Sequence, residues 1–250
     1  MDLLLKGKVA VVTGAGSGVG REITNILCGE GVSVAAVDIV LEKARQTVKM
    51  VKDQPGKAIP YKADVINYQE FQETVARIIS DFGQIDMLIN NAGYGVFKKF
   101  DATTNQDWMI DININLIGVL NCTRSVIGHM KERKYGKILT IVSDAGKVGE
   151  PLLATYSASK AAAIGFTKAL AKEVGRDSIN VNCLGLGTTK TPLIEPFLTP
   201  EAEKKMLKRY PLGRLGLPGD SAYLAAFLVS DRASWITGQC FSVNGGYSTV

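Results

Sequence analysis

An alternation of strand and helix along the whole chain predicts an α/β fold: a doubly wound, parallel, seven-stranded sheet with helices on both faces. Two observations support this prediction. Short apolar, β-branched runs alternate with segments of helical periodicity, and glycine, acidic or amide residues follow most of the runs. The 250 residues, 46% of them hydrophobic, suffice for one core, and no Pro/Gly/Ser-rich linker divides them. We therefore predict a single domain spanning residues 1–250.

Each element is assigned from its own pattern. The apolar runs predict strands over residues 8–13, 33–37, 58–63, 85–89, 137–142, 179–184 and 240–244. Apolar residues spaced by three and four predict helices over residues 21–29, 41–52, 68–82, 107–134, 156–175, 192–210 and 221–230. Ligands of such sheets bind at the carboxyl ends of the strands. We expect a lid over about residues 188–212 to cover that edge.

A glycine-rich turn joins the first strand to the first helix. Its spacing is Thr-Gly-x-x-x-Gly-x-Gly, and it contains Gly14, Ser17, Gly18, Val19 and Gly20. Backbone N–H groups and a helix N-terminus in this context can hold a pyrophosphate, as in Rossmann-type sheets. The alternative is an ordinary turn, because glycines are common after strands.

Asp38 ends the second strand. An acid at this position can accept hydrogen bonds from the adenosine ribose hydroxyls and would repel a 2′-phosphate. Neither Ser17 nor Ile39 supplies a cation for such a phosphate. The sequence therefore favours NAD over NADP. The alternative is an acid that only caps the next helix.

Tyr156 and Lys160 lie four residues apart near the start of a predicted helix, and therefore on one face of it. A neighbouring ammonium lowers the pKa of a phenol, and a pKa near 7 would require about 4 kcal/mol. Such a phenol can exchange a proton at neutral pH. Ser143, at the end of the fifth strand, would share the pocket. The alternative is a half-buried tyrosine beside a solvated lysine.

Composition argues against several classes of protein. The net charge is +5 with dispersed basic residues, so we expect no nucleic-acid partner. The start of the chain lacks the layout of a signal peptide, and no run reaches the roughly 18 apolar residues of a membrane span. We expect a cytoplasmic protein with no membrane partner.

The four cysteines and the single histidine predict no metal site. The cysteines (Cys28, Cys122, Cys183 and Cys240) form no Cys-x-x-Cys pair, and we interpret them as reduced core thiols. A single histidine in the chain, His129, argues against a zinc site built on histidines and against a Ser-His-Asp triad. We predict that His129 is a surface residue.

Together these motifs resemble the short-chain dehydrogenase/reductase family over essentially the whole chain. The resemblance rests on Thr13-Gly14, Gly18 and Gly20, on Asn90-Asn91-Ala92-Gly93, and on Asn115, Ser143, Tyr156 and Lys160, in the family's order and spacing. It implies an NAD-dependent oxidoreductase that interconverts a secondary alcohol and a ketone. The alternatives are a dinucleotide-sensing protein without turnover and a methyltransferase on a related sheet.

The resemblance also implies a role for each matching residue. Tyr156 would exchange the proton, Ser143 would orient the substrate oxygen, and Lys160 would lower the pKa of Tyr156 and hold the nicotinamide ribose. Asn115 is similar to a helix asparagine that anchors a water relay to Lys160; the alternative is a satisfied helix-kink residue. Further cofactor contacts are implied for Asp64, Val65, Asn91, Ala92, Gly93, Gly187, Thr189 and Thr191. The family's usual homotetramer would use helices 108–134 and 156–175 and the region 245–247.

One departure from the family's pattern and several side chains bear on the substrate. Leu186 stands where the family usually has proline, so we expect a looser nicotinamide pocket. Apolar residues predicted to line the substrate pocket are Tyr94, Phe97, Leu152, Leu193 and Phe197. Lysines that would ring its mouth and attract an anionic tail, or else form ordinary solvated surface, are Lys98, Lys99, Lys147 and Lys190. The segments 142–149 and 211–216 look similar to those of dehydrogenases of cyclic hydroxyacyl-CoA thioesters; the alternative is a 3-oxoacyl-carrier-protein reductase.

Overall fold

The computed structural model describes residues 2–250 and contains one parallel sheet of seven strands. The strands are β1 (Val9–Thr13), β2 (Ser33–Asp38), β3 (Ala58–Lys62), β4 (Met87–Asn90), β5 (Gly136–Ser143), β6 (Ile179–Leu186) and β7 (Cys240–Val243). Their order is β3-β2-β1-β4-β5-β6-β7, and every neighbouring pair is parallel. The predicted fold class and strand number are confirmed.

Helices connect the strands and cover both faces of the sheet. They are α1 (Gly18–Gly29), α2 (Leu41–Met50), α3 (Tyr68–Phe82), α4 (Asn105–Ile112), α5 (Gly118–Arg133), α6 (Ala145–Val148), α7 (Ala154–Val174), α8 (Pro200–Leu207) and α9 (Pro218–Leu228). Short 3₁₀ turns lie at Phe100–Ala102, Gly175–Asp177, Glu195–Phe197 and Asp231–Ala233.

Two predicted helices differ from the structure. The predicted helix 107–134 begins at Asn105 and is divided into α4 and α5 by a π-helical turn, Asn113–Ile117. The predicted helix 192–210 is shorter, because Pro196 and Pro200 allow only a 3₁₀ turn and then the eight residues of α8. Proline favours the first turn of a helix, so α8 begins at Pro200.

Alternation along the strands produces a core on each face. Val12, Ile89 and Leu139 point to the face covered by α1 and α9. Their chain neighbours Val11, Leu88 and Ile138 point to the opposite face, where α3, α5 and α7 supply residues such as Phe71, Val126 and Leu170. Adjacent side chains of a strand point to opposite faces, so the central strands must be apolar throughout. These two cores hold the carboxyl ends of the strands at one edge.

The sheet changes direction between β1 and β4. Strands before this point are added on one side of β1, and later strands on the other. The loops that leave β1 and β4 therefore diverge and open a crevice, which is the usual ligand site of such sheets.

His129 and Cys240 are both partly buried, between the surface and the core. His129 is partly buried, and its Nε2 accepts a hydrogen bond from the backbone N–H of Ile85 at 3.2 Å. Cys28, Cys122 and Cys183 are buried, whereas Cys240 is only partly buried because β7 is an edge strand. His129 is thus only partly exposed, and the core assignment holds for three of the four cysteines.

Candidate active site

The glycine turn after β1 is shaped by close backbone contacts. Gly14 and Gly18 have φ values of +62° and +54°, a conformation that glycine adopts at least cost. A Cβ at Gly20 would overlap the Gly14 carbonyl oxygen and Nδ2 of Asn91. A side chain at position 14 or 20 would therefore disturb the turn, while Val19 is buried under it.

The side chain of Asn91 is hydrogen-bonded to this turn. Its Nδ2 donates to the carbonyl oxygens of Thr13 at 2.9 Å and of Gly14 at 3.2 Å. The hydroxyl of Thr13 in turn accepts hydrogen bonds from the backbone N–H groups of Asn91 at 3.0 Å and Ala92 at 3.1 Å. Two neighbouring strand ends, β1 and β4, are joined in this way.

Asp38 faces the same turn. Its Oδ2 accepts from the N–H of Gly16 at 2.9 Å, and its Oδ1 accepts from the N–H of Val40 at 2.9 Å. A Cβ at Gly16 would lie 2.6 Å from Oδ2 of Asp38 and 2.5 Å from Cβ of Lys43. The carboxylate is thus fixed beside the glycine turn, and the side chain of Lys43 starts next to it. Lys43 was missed, since its position on α2 gives no local signal.

Asp64 and Val65 follow β3 at the same edge. Oδ1 of Asp64 accepts from the N–H of Ile66 at 3.0 Å, and Nδ2 of Asn121 on α5 donates to the carbonyl of Val65 at 3.0 Å. The Val65 side chain is buried against Gly118, where a Cβ would find no room. This loop is held in place by α5.

Lys160 is buried on α7, with 4% of its surface exposed. Its Nζ donates one hydrogen bond, to the carbonyl of Ile141 at 3.0 Å. A Cβ at Gly93 would lie 3.3 Å from this Nζ and 3.1 Å from Oδ1 of Asn115. The side chains of Lys160 and Asn115 therefore both lie against Gly93. The ammonium of Lys160 still has N–H donors that a ligand can use.

Tyr156 is partly buried one helical turn before Lys160, whose Nζ lies 5.6 Å from the centroid of the phenol ring. Burial raises the pKa of Tyr156 to about 12; a hydrogen bond with Ser143 opposes the rise, and the carboxylate of Asp111 adds to it. Burial also lowers the pKa of Lys160 to about 8. In the protein without ligands desolvation of the phenol is thus the largest influence on the pKa of Tyr156, and the lowering of this pKa by Lys160 stays a prediction.

Ser143 is the last residue of β5. Its Oγ donates to the carbonyl of Leu186 at 3.4 Å and accepts from the N–H of Ala145 at 3.2 Å. Leu186 lies opposite Ser143 in the register of β5 and β6. Gly187 follows, and its N–H donates to the carbonyl of Val243 at 3.1 Å. Leu186 thus belongs to the sheet, and a hydrogen bond to β7 holds the start of the next loop.

Asn115 lies in the π-helical turn and is fully buried. Its Nδ2 donates to the carbonyls of Tyr94 at 2.7 Å and Asp111 at 2.8 Å, and its Oδ1 accepts from the N–H of Tyr94 at 3.3 Å. Asn115 thereby attaches the loop after β4 to the helix that precedes α5. A π-turn widens a helix locally and is frequent at functional sites.

The segment after β6 returns across the glycine turn. The side chain of Thr191 lies 3.1 Å from the position of a Cβ at Gly18. The hydroxyl of Thr189 donates to the carbonyl of Gly187 at 3.1 Å, and the N–H of Thr188 donates to the hydroxyl of Tyr210 at 2.7 Å. Thr188, Thr189 and Tyr210 border a cleft of about 180 Å³ that is also lined by Gly216 and Asn244.

The predicted pocket residues are brought together only in part. The rings of Phe97 and Phe197 pack in a tilted arrangement with centroids 4.6 Å apart, joining the loop after β4 to the segment after β6. Tyr94, Leu152, Leu193 and Phe197 each expose at least 40% of their surface near this edge.

Three of the four lysines predicted to ring the mouth are already engaged. Lys98 pairs with Asp107 at 2.9 Å, and Lys190 pairs with Glu203 at 2.5 Å. Lys147 turns toward β7, where its Nζ donates to Ser242 at 2.8 Å and to the carbonyl of Cys240 at 3.0 Å. The prediction of a ring of cations is wrong for these three, because carboxylates and β7 hold them.

Residues 8–202 match the family described as short chain dehydrogenase. The chain belongs to this family. It is 39% identical to a 3-oxoacyl-[acyl-carrier-protein] reductase of Thermotoga maritima over 97% of this chain and 98% of that protein. It is 37% identical to subunit BbsD of the (2S)-[(R)-hydroxy(phenyl)methyl]succinyl-CoA dehydrogenase of Thauera aromatica, over 98% of each chain.

A solved structure has the same fold as this short-chain dehydrogenase. A 7α-hydroxysteroid dehydrogenase complexed with NADH and 7-oxoglycochenodeoxycholic acid has a TM-score of 0.94 and 36% identity, over 98% of this chain and 96% of that one. Together the family and these relatives identify the protein as an oxidoreductase that acts on a secondary alcohol or the corresponding ketone with a nicotinamide dinucleotide.

The part of this short-chain dehydrogenase that the structure describes offers no cluster of three His, Cys, Asp or Glu side chains suited to a metal ion. Likewise, no helix within residues 2–250 has the length and apolar character to cross a membrane.

Sequence reasoning also missed Asp111 and Tyr210. Both residues are buried. Oδ1 of Asp111 accepts a hydrogen bond from the N–H of Val96, and the hydroxyl of Tyr210 accepts one from the N–H of Thr188. Asp111 stands within a helical pattern and Tyr210 at the end of the lid, so neither belongs to a motif.

Proposed function

We propose that the protein is an NAD-dependent dehydrogenase in which Tyr156 exchanges a proton with the substrate oxygen. One observation supports this best: the glycine turn, the carboxylate of Asp38, the buried ammonium of Lys160 and the phenol of Tyr156 all lie at one edge of the sheet. A bound nicotinamide would supply the transfer of hydride to or from the carbinol carbon. The remaining chemistry belongs to side chains of this chain.

Proton transfer is assigned to three residues. Tyr156 gives a proton to the ketone oxygen or takes one from the alcohol, and Ser143 hydrogen-bonds the same oxygen to orient it. Lys160, with one acceptor in the protein, has donors for ribose hydroxyls, and its charge beside the phenol favours the phenolate once ligands enter. Asn115 holds the Tyr94 loop and stands beside Lys160, where it would anchor a water relay.

The dinucleotide is assigned to the glycine turn and the neighbouring strand ends. Gly14, Ser17, Gly18, Val19 and Gly20 would receive the pyrophosphate at the start of α1. Asp38 would bind the adenosine ribose, and this negative charge supports NAD over NADP. Contacts to the adenine and ribose are assigned to Asp64, Val65, Asn91, Ala92 and Gly93, and contacts to the nicotinamide end to Gly187, Thr189 and Thr191.

The substrate is proposed to be a CoA thioester with a ring alcohol, such as a cyclic hydroxyacyl-CoA. The relative from Thauera aromatica is named for a CoA thioester, and apolar side chains surround the proposed entrance. On the lid, taken as about residues 188–212, Lys204, Lys205 and Lys208 are exposed, and none of them is in an ion pair within residues 2–250. They suit the phosphates of CoA.

A 3-oxoacyl-carrier-protein reductase is the second candidate, because the relative from Thermotoga maritima carries that name. The exposed lysines of the lid would pair with acidic groups of the carrier protein, so the same lysines would serve both substrates. A dinucleotide sensor without turnover is the candidate of another class.

A homotetramer is also proposed. Between α3, α5 and α7 lies an apolar groove of about 510 Å³ lined by Tyr68, Leu120, Ile127 and Phe166, among others. A groove of this kind supports the expected interface of helices 108–134 and 156–175. Sedimentation velocity would test it: a single species of about four chain masses is expected, and a monomer would contradict it. The cytoplasmic location stays a prediction.

Absorbance at 340 nm tests the function. The purified protein is assayed with NADH and NADPH against acetoacetyl-CoA, its acyl-carrier-protein counterpart and 2-oxocyclohexanecarboxyl-CoA, and in reverse with the alcohols. We expect NADH oxidation with a CoA thioester. Faster turnover of the carrier-protein substrate would favour the second candidate. Tight NADH binding without turnover on any substrate would favour the sensor.

A further inference from the structure

Asp111 is a buried carboxylate close to the proposed proton donor. It lies on α4, one helical turn before Asn115, and only 2% of its surface is exposed. Within residues 2–250 none of the ion pairs includes it. A buried carboxylate without a cation is costly unless it accepts hydrogen bonds, so the groups that donate to Asp111 indicate its role.

The donors to Asp111 are backbone groups of two site elements. The N–H of Val96, in the loop after β4, donates to Oδ1 at 3.0 Å. Burial raises the pKa of Asp111 above its ordinary value, and hydrogen bonds from the backbone N–H groups of Val96 and Tyr156 oppose the rise. Asp111 therefore joins the loop after β4 to the start of α7.

The N-cap residue of α7 supplies no cap from its own side chain. Leu153, at the N-cap position, makes no side-chain cap hydrogen bond, and the first turn holds no acidic residue. The first N–H groups of a helix need partners, and a negative charge is favourable there. Asp111 supplies this charge from a different helix.

The loop after β4 packs directly on the phenol. A Cβ at Gly95 would lie 3.2 Å from Cδ2 of Tyr156 and 3.3 Å from Cδ2 of Leu153. Asn115 holds Tyr94, and Asp111 holds Val96, so both ends of this short loop are attached to the helix that carries these two residues. A change at Asp111 would move the loop and the phenol together.

Few charges face Tyr156 from the elements around it. Asp111 is contributed by α4, Ser143 by β5, and Lys160 by the next turn of α7. On β6, Cys183 lies near Lys160, and on α6, Lys147 is turned away toward β7. Asp107 is the charged neighbour of Asp111 itself. Asp111 is thus the negative charge that acts on the phenol.

We propose that Asp111 is a positioning residue for Tyr156: its carboxylate fixes the phenol against the loop after β4, and its charge keeps the proton on the phenol. Ketone reduction needs a protonated phenol, so Asp111 prepares the resting protein for reduction rather than for alcohol oxidation. This inference rests on the proposed function, in which Tyr156 is the proton donor.

The test is a titration of Tyr156 itself. Protein labelled with ¹³C at the tyrosine ring carbon that bears the hydroxyl is titrated by NMR with saturating NAD⁺ and without it, and Y156F identifies the resonance. In D111N, which keeps an acceptor and removes the charge, we expect the midpoint to fall by about one pH unit. D111E should restore it, and D101N, at an exposed carboxylate in the 3₁₀ turn before α4, should leave it unchanged.

An unchanged midpoint in D111N would overturn the proposal. If D111N does not fold, the wild-type resonance decides instead: a second, smaller inflection at the titration of Asp111 is expected, and its absence would overturn the proposal. Turnover is measured separately at 340 nm. A wild-type protein without turnover on any substrate contradicts the proposed function, whereas it leaves the titration result for Asp111 intact.

Discussion

The two sides of the carboxyl edge of the sheet are built differently. On the dinucleotide side, after β1, β2 and β4, the geometry is fixed by backbone contacts: Asn91 donates to Thr13 and Gly14, and Asp38 accepts from Gly16. On the substrate side, after β5 and β6, long side chains such as Phe197 and Glu203 make the contacts. Substitution should therefore abolish binding on the first side and retune it on the second.

Of all the substitutions on the two sides, the largest effect is expected from one at Gly20. In G20A the new methyl group overlaps the Gly14 carbonyl and Asn91, so the turn must shift. We expect NADH affinity to fall at least about tenfold and the free energy of unfolding to fall by about 1–3 kcal/mol. Fluorescence titration with NADH and denaturant unfolding measure the two effects.

G128A is the matched control. Gly128 lies in α5 with nothing within 4 Å of a Cβ, so alanine should stabilise the protein by up to about 1 kcal/mol and leave NADH binding unchanged. Equal behaviour of G20A and G128A would contradict the account of the turn.

A smaller effect is expected at Asp38, where the charge rather than the backbone is changed. D38S removes the carboxylate beside Lys43, so a 2′-phosphate meets less repulsion. We expect the ratio of kcat/KM for NAD to that for NADP to fall by about tenfold or more, which is about 1.4 kcal/mol. The control is D53N, at an exposed carboxylate after α2. An unchanged ratio in D38S would show that Asp38 only holds the glycine turn.

The smallest effect is expected on the lid. K204E/K205E reverses two exposed charges, so the KM for a CoA thioester should rise about two- to fivefold at low salt, and the difference should shrink in high salt. The matching thioester of N-acetylcysteamine, which lacks the phosphates, should be unaffected. A similar rise for both thioesters would contradict a role in binding the CoA phosphates.

The arrangement of the dinucleotide side could be predicted from the sequence, because its contacts follow from local motifs. Strand, glycine turn and helix come together within residues 8–29, and the strand ends must meet once the sheet is parallel. The lysines of the second side could not be placed, since the partners of Lys98, Lys147 and Lys190 lie in other elements. The same holds for Asp111, whose donors lie 15 residues before it and 45 after it (111 − 96 and 156 − 111).

The pKa of Tyr156 shows a second limit. Helical spacing correctly places Lys160 one turn away, but it carries no information on burial. Desolvation acts on the phenol and on the ammonium at once, raising one pKa and lowering the other. A sequence motif can thus predict which groups meet and not which protonation state they adopt.

Tyr156 is proposed to transfer the substrate proton, whereas binding of the dinucleotide does not need the hydroxyl of Tyr156. Y156F tests this directly, with NADH affinity measured by fluorescence and turnover at 340 nm on the same preparation. For Y156F we expect an NADH Kd within about twofold of the wild-type value and a kcat lower by about 10²–10⁴-fold. Turnover close to that of the wild type would contradict it.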